Sequence, residues 1–495
     1  MKDQKTREQS LWSKMSYGFA DIYGGGAFVV ISTFYTVFLT KAMGMPPALA
    51  GTIPLIGKIW DAVTDPIMGN ICDRTRSKYG PKRFYILIGS IISAITFILM
   101  WVSIGQGSEM TTKYVFYMLM YMLFSTGFTI VMVPYNGLLP DMVDDYTVRS
   151  KFSGVRMIFS TFGAILAGLI PTLMIKDNTN PAPYFTVALI FGVIFLIVIL
   201  ITFFGTWEKQ KEPVKVGFAE SFIQSLTVYK SRSFKLFIGI FLCGQGAADF
   251  VTGLAVYYVD DVLNAYGGGR FTYLMAVILL SQFVGTILFT PIMARTSKKF
   301  PLLVGFPVRI AATLALLLFS HEGANFTVIL ILSFIIGLGM AGSSTTIYAI
   351  LADMADVDRL ITSLSRPGIV SAMATFIRKI ATGLSTAIIG LMLSMVGYSE
   401  TLATAGERQA LATQHGIAYI YVFAPIVLMA LAIMFTVWFP MKKKEFEIIK
   451  KDIARRIGED DSAATEEEIK VCEKLTGFSY DRLWDPENAL SFKSK

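Results

Sequence analysis

Cysteine and histidine are nearly missing from this sequence. Three cysteines, Cys72, Cys243 and Cys472, and two histidines, His321 and His415, are spread over 495 residues. An odd number of widely separated thiols makes neither a disulfide framework nor a zinc site, so the cysteines are expected to pack as small apolar groups. Two histidines leave almost no material for imidazole-based metal binding or acid–base catalysis. Charge is scarce too: 16% of residues are charged against 54% hydrophobic, with mean hydropathy +0.57, well outside the range of a soluble domain. The 41 glycines and 18 prolines sit inside apolar runs without a period, which excludes collagen-like repetition and disorder. No nucleophile, metal or histidine constellation points to a reaction, so neither an enzyme nor a cofactor is expected. What remains is an all-α integral membrane protein.

A bilayer core of about 30 Å takes about 20 apolar residues per helix. Twelve such runs lie near 17–40, 47–71, 84–105, 113–139, 153–175, 183–206, 236–259, 271–294, 301–320, 327–351, 367–396 and 417–440. The charged stretch Lys2 to Lys14 precedes a run long enough to span, without the short core of a cleavable signal. An even number of spans puts both termini on one side. The loops on that side hold about 34 of the 44 Lys and Arg, and the opposite loops about five. Both termini are therefore expected in the cytoplasm, with the protein in the cell (inner) membrane, and the net charge of +8 needs no nucleic-acid partner. Membrane lipids and a solute are the expected partners of a monomer.

The longest cytoplasmic connection between spans divides the chain into two six-helix halves, 1–206 and 236–440, joined by a linker at 207–235 and followed by a tail at 441–495. Fragments recur at matching places. Thr64-Asp65-Pro66-Ile67-Met68 ends the second span and Thr290-Pro291-Ile292-Met293 the eighth; Asp141-Met142-Val143-Asp144 follows the fourth and Asp353-Met354-Ala355-Asp356 the tenth. Parallel duplication of a six-helix unit is the architecture of the major facilitator fold, with its solute site near the midplane. The stretch from Gly69 through Asp73, Arg74, Arg76 and Gly80 to Arg83 resembles the Gly-x-x-x-Asp plus basic loop of those transporters. Asp73 and Arg74 are candidate members of a latch that changes between conformational states; a plain positive-inside loop is the alternative.

A charge at mid-membrane costs at least about 2.5 to 3.5 kcal/mol, so each one needs a reason. The second span carries Lys58, Asp61 and Asp65 at spacings of three and four, on one helix face, flanked by Trp60 and Thr64. Two carboxylates one turn apart repel when both are ionised, so one keeps a proton or a cation lies between them. That is the chemistry of a coupling site; the alternative is a Lys58–Asp61 ion pair that holds helices together. Asp21, Asp249, Arg156, Arg309, Arg378 and Lys379 complete the intramembrane set. Arg309 and Arg378 are expected to snorkel outwards, while Arg156 and Lys379 either snorkel or face a cavity.

The run Lys58-Ile-Trp60-Asp61-Ala-Val-Thr64-Asp65-Pro66-Ile-Met-Gly69 with Thr75-Arg76-Ser77-Lys78-Tyr79-Gly80 resembles the second-helix signature of the glycoside-pentoside-hexuronide:cation symporters. Ser16-Tyr17-Gly18-Phe19, Phe34-Tyr35-Thr36, Val133-Pro134-Tyr135, Ala352-Asp353 and Lys379 fall in family order. The resemblance implies secondary transport of a sugar, glycoside or hexuronide driven by a proton or sodium gradient. It implies Asp61, Asp65 and Thr64 as cation-binding residues, Arg156 as a cavity residue and Lys379 as a lysine near the cation site. Trp60, Asn136, Asp21 and Asp249 join Arg156 and Lys379 as substrate-binding candidates. The chain departs from the melibiose-transporting member at Gly25 and Met132, where that protein has aspartates, and at Asn136 and Ser344, where it has tryptophans, so a melibiose-type galactoside is not expected. With Met132 in place of a third carboxylate, proton coupling is favoured over sodium. A lysolipid-type carrier of the same fold and a non-transporting solute receptor are the competing functions; the paired carboxylates argue against the receptor.

In the tail, Phe446, Ile449, Ile453 and Ile457 recur at helical spacing among lysines and arginines, which fits a basic helix on anionic headgroups; a solvated tail is the alternative.

Overall fold

A computed structural model describes residues 10–105, 107–143, 146–208, 223–265 and 269–489; for some helical residues, Asp73 and Arg74 among them, it describes the backbone alone. The described residues are helical and contain no strand. In chain order the long helices are α1, Leu11–Val30, prolonged by π-helical turns at Ile31–Tyr35 and Phe38–Ala42; α2, Pro47–Arg74; α3, Pro81–Leu99; α4, Met110–Met142; α5, Tyr146–Met174; and α6, Pro181–Gly205. Then come α7, Arg232–Tyr257, prolonged by a π turn at Tyr258–Val262; α8, Arg270–Arg295; α9, Phe300–Leu317; α10, Phe326–Thr362; α11, Pro367–Met395; and α12, Leu411–Trp438. Two shorter helices follow, α13, Lys443–Arg456, and α14, Glu466–Thr476.

Proline begins α2, α3 and α6 at a position whose amide would have no partner within the helix. Asn180 and Asn325 cap α6 and α10 by accepting the N–H of Ala182 and Thr327 at 3.0 and 3.1 Å. Eleven of the described helices are long and apolar enough to cross a membrane. The twelfth, α2, has 28 residues, about 42 Å of helix, and its polarity comes from Lys58, Asp61 and Asp65.

The residues group into two compact units. One comprises Met1–Lys215, Thr252–Ala276 and Thr382–Ala418; the other comprises Val216–Val251, Val277–Ala381 and Tyr419–Lys495. The far ends of α7 and α11 and the start of α8 thus group with the first six helices. In the first unit α1 packs along α5 and α6, and α4 along α2 and α3, around an aromatic-rich core that includes Tyr23, Tyr35, Phe38, Trp101 and Tyr121. Glycine lets α2 and α11 approach closely: a Cβ on Gly383 would lie 2.9 Å from Leu55 Cα and 3.0 Å from Lys58 Cβ, the small-residue packing of membrane helices. The second unit has its own core from α7, α9 and α10, which includes Phe237, Phe241, Phe306 and Ile350.

The tail departs from expectation. Ile449 and Ile453 of α13 and Leu475 of α14 are buried in the second unit's core rather than offered to headgroups. The Trp484 and Asp485 amides donate to the Leu360 and Ile361 carbonyls at 2.8 and 3.1 Å, and Ser233 Oγ donates to the Leu475 carbonyl at 2.6 Å. The same i, i+4 apolar stripe serves a protein surface as well as a lipid one, and the end of α10 supplies that surface. Phe446 is only half-buried and Ile457 stays exposed.

A capping box begins α14: Glu468 accepts the Thr465 N–H at 3.0 Å and is flanked by Arg455 at 2.7 Å and Lys451 at 3.2 Å. These donors and charges lower its carboxyl from 4.5 to about 2. A carboxyl lowered on folding stabilises through its ionised form. The α14 contribution is therefore complete above about pH 4.5 and is lost as pH falls toward about 2. Amide hydrogen exchange of α14 as a function of pH is expected to show this acid opening in the wild type and to lose it in Glu468→Gln; an identical pH profile in both refutes it.

Candidate functional site

The polar face of α2 is turned inward. Lys58 Nζ donates to Asp61 Oδ2 at 3.0 Å, with both side chains buried, and the ammonium lies 4.1 Å from the centre of the Phe28 ring. The ion pair weighed from the sequence is thus present, yet it uses only one oxygen of Asp61. The other, Oδ1, is buried and has no hydrogen-bond partner among the described residues, a costly state for a carboxylate oxygen. One turn on, Asp65 is half-buried and its Oδ1 accepts the Thr129 hydroxyl of α4 at 2.7 Å. Thr64 directs its hydroxyl hydrogen to the Trp60 carbonyl at 3.0 Å, which leaves the oxygen's lone pairs available. Trp60 is partly exposed and donates its indole N–H to Thr126 Oγ1 at 2.9 Å.

A second cluster joins α1, α4 and α5. Arg156 reaches Asp21 through Nε and Nη2, each at 3.2 Å, and Asn136 Oδ1 through Nη2 at 2.8 Å. Its guanidinium lies 4.8 Å from the centre of the Tyr135 ring, a cation–π geometry. Arg156 therefore points inward. The contact between α1 and α5 explains two departures noted in the sequence. A Cβ on Gly25 would lie 2.7 Å from the Ser160 carbonyl oxygen, and a Cβ on Gly24 would lie 2.6 Å from Met132 Cε. No side chain fits at position 25 in this packing, and Met132 fills core space.

In the second unit, Arg378 and Asp249 form a two-pronged pair with both N–H···O distances at 2.7 Å. The expectation that Arg378 snorkels is corrected: a carboxylate on α7 is within reach and cancels the cost that would drive the side chain outwards. Arg309 is corrected likewise. It is fully buried and donates Nη2 to the Ala247 carbonyl of α7 at 2.9 Å. Gln245 donates to Ser344 Oγ at 3.2 Å. Lys379, half-buried, follows Arg378 on α11. The side chains of Asp73 and Arg74 lie outside the described residues.

Two groups were not anticipated. Lys82 pairs with Asp141, and Lys298 contacts both oxygens of Asp353 at 2.6 Å. The aspartates are those of the recurring Asp-Met motif, and each lysine comes from the basic stretch after the second span of its half, so the repeat extends to the contact. The other group lies where α1 and α7 end. Lys41, nearly inaccessible, donates to Asp261 at 2.8 Å and Asp260 at 3.1 Å. Asn178 donates to Asp260, and Thr40 shares a hydrogen bond of 2.7 Å with Tyr257. The two helix ends are alike: Met43 N–H bonds to the Phe38 carbonyl and Met45 to Leu39, while Leu263 bonds to Tyr258 and Ala265 to Val259. Each pair is displaced by the 220 positions that also separate Lys41 from Asp261, so equivalent positions of the repeat hold opposite charges and meet.

Residues 16–443 match the family model for MFS/sugar transport proteins. The chain is 26% identical to the isoprimeverose transporter of Lactiplantibacillus pentosus, over 86% of this chain and 88% of that one. It is 25% identical to the glucuronide carrier protein homolog of Escherichia coli K12, over 91% and 97%. Its fold is similar to the inward-facing, unoccupied crystal structure of a bacterial homolog of the human lysosomal transporter Spinster, with TM-score 0.60 and 17% identity over 88% of this chain and 96% of that one. With its spanning helices, duplicated ion-pair contacts and inward-turned charges, this chain belongs to the MFS/sugar transport protein family: it is a multi-pass membrane transporter, not an enzyme.

Proposed function

We propose that this protein is a symporter that moves a sugar, glycoside or sugar acid together with a proton across the cell inner membrane, with both termini in the cytoplasm. The observation that carries the reading is the α2 face, where Asp61 keeps one buried oxygen on Lys58 and the other without a partner among the described residues. A proton taken up at Asp61 Oδ1 neutralises the carboxylate, weakens its hold on the Lys58 ammonium and leaves Asp65 as the remaining charge of the pair. Sodium asks for several oxygen ligands and no ammonium beside them; Lys58 at 3.0 Å stands against it.

The solute reading rests on Asp21, Asn136 and Arg156, with Trp60, Asp249 and Lys379 as further contacts. Nε and both N–H groups of Arg156 Nη2 are engaged by Asp21 and Asn136, which leaves the Nη1 pair to donate to solute oxygens. The relatives named for isoprimeverose and for glucuronides support sugars and sugar acids as the solute class. Uptake into proteoliposomes at fixed membrane potential, with pH and sodium gradients imposed separately, tests the coupling. Accumulation is expected to follow the pH step; accumulation that follows sodium alone overturns proton coupling.

A further inference from the structure

The Asp249–Arg378 pair has no role in the coupling chemistry above, and it is an expensive feature. Asp249 lies near the middle of the Arg232–Val262 span, where a charge costs several kcal/mol, and an ion pair in such a place adds little stability over apolar side chains of the same volume. The stretch around it is held by three helices. Gln245 meets Ser344 of α10, Ala247 meets Arg309 of α9 and Asp249 meets Arg378 of α11. Gln245 and Asp249, four residues apart, share one face of α7. These links fix a polar patch on the inner length of the helix.

The pair also differs from its counterpart on the corresponding helices of the first half. The Asp21 side chain is 7% exposed and that of Arg156 26%, and the arginine holds the carboxylate at 3.2 Å while also serving Asn136. The carboxylate is the more buried member of that pair. The side chains of Asp249 and Arg378 are 20% and 18% exposed, and their contact is a symmetric fork of two 2.7 Å bonds. A planar guanidinium that grips one carboxylate edge-on grips another oxyanion of the same shape equally well. By the 220-residue offset of the repeat, Asp249 also stands about two turns deeper along its helix than Asp21 does, towards the depth where transporters bind their solutes.

We propose that Arg378 is a specificity-determining residue that binds the oxyanion of a sugar acid, a carboxylate or sulfonate on the sugar ring's C6, with Asp249 as the stand-in that releases the guanidinium when the substrate arrives. This rests on the reading of the protein as a sugar symporter and narrows it to anionic sugars. Asp249 keeps Arg378 oriented and neutralised without substrate, and it repels an anion until the fork is exchanged. A neutral glycoside lacks the group that could displace Asp249.

The test compares methyl β-D-glucuronide with methyl β-D-glucoside, by titration calorimetry and by gradient-driven uptake, in the reconstituted full-length protein. Wild type is expected to prefer the glucuronide by about tenfold to a hundredfold, the range of a hydrogen bond to a charged group. Asp249→Asn removes the competing carboxylate and tightens glucuronide binding severalfold. Arg378→Lys loses the fork and weakens it, and Asp249→Asn/Arg378→Gln, which leaves no uncompensated charge to unfold the protein, removes the preference for the glucuronide over the glucoside. A double variant that still prefers the glucuronide overturns the proposal. So does Asp249→Asn that loses both ligands equally, which would make Asp249 a hydroxyl-binding residue. Wild-type accumulation of the glucoside or of isoprimeverose without the glucuronide overturns the proposal and leaves sugar symport standing; accumulation of no sugar under any imposed gradient overturns the symport reading itself.

Discussion

Asp65→Asn protein reaches the membrane at wild-type abundance and fails to accumulate solute against a gradient. The substitution keeps an oxygen that can accept the Thr129 hydroxyl, a bond of 2.7 Å in the native protein, so the α2–α4 contact survives and folding loses little. What it removes is the second charge of the carboxylate pair, and with it the means to take up and release one proton per cycle. Accumulation is expected to fall by about tenfold or more, the scale on which a lost charged contact acts. Asp61→Asn has the same effect on uptake with a larger structural cost, because Lys58 is left buried beside a neutral amide; breaking a buried pair from one side costs about 3 to 5 kcal/mol. Lys58→Met/Asp61→Asn removes both charges and separates the roles. It is expected to restore abundance without restoring accumulation. Wild-type accumulation by Asp65→Asn and by the double variant would mean that the α2 face only holds helices together.

The α2 face was legible because membrane helices tolerate so few charges that three at helical spacing define a face by themselves. The two Asp-Met fragments were legible for a similar reason: Asp141-Met142 and Asp353-Met354 recur in the sequence, and each aspartate pairs with a lysine, Lys82 and Lys298. Arg309 and Arg378 were misjudged because a long basic side chain in a span reads as snorkelling unless its partner is known, and the partners, the Ala247 carbonyl and Asp249, lie on another helix. The tail was misjudged because a stripe such as Ile449 and Ile453 records that a surface is apolar and nothing about whether that surface is lipid or protein. Lys41 counted in the sequence as one of a few positive charges in the sparse loops. It continues α1 as a π turn and meets Asp261 at the matching end of α7, a contact between residues 220 positions apart that no local pattern marks.

At that lysine a large loss of stability is expected. Lys41 faces two buried carboxylates, Asp260 and Asp261, within hydrogen-bond distance of both; Asn178 and the Thr40–Tyr257 contact add neutral hydrogen bonds around them. With Lys41→Met, two buried carboxylates in adjacent positions lose the ammonium that both of them contact. They repel each other and lack solvent, a change on the order of 3 to 5 kcal/mol. The α1 and α7 ends are then expected to part so that water reaches Asp260 and Asp261. The purified variant should unfold at a lower temperature, and a cysteine introduced at Val259, buried in the native protein, should react faster with a water-soluble maleimide. Lys41→Met/Asp260→Asn/Asp261→Asn keeps the acceptor oxygens and removes all three charges, so it should recover most of the lost stability and slow the labelling again. Recovery in the triple variant would assign the effect to charge rather than to the packing of the lysine stem. Unchanged unfolding and labelling in Lys41→Met alone would show that the cluster does not hold these helix ends together.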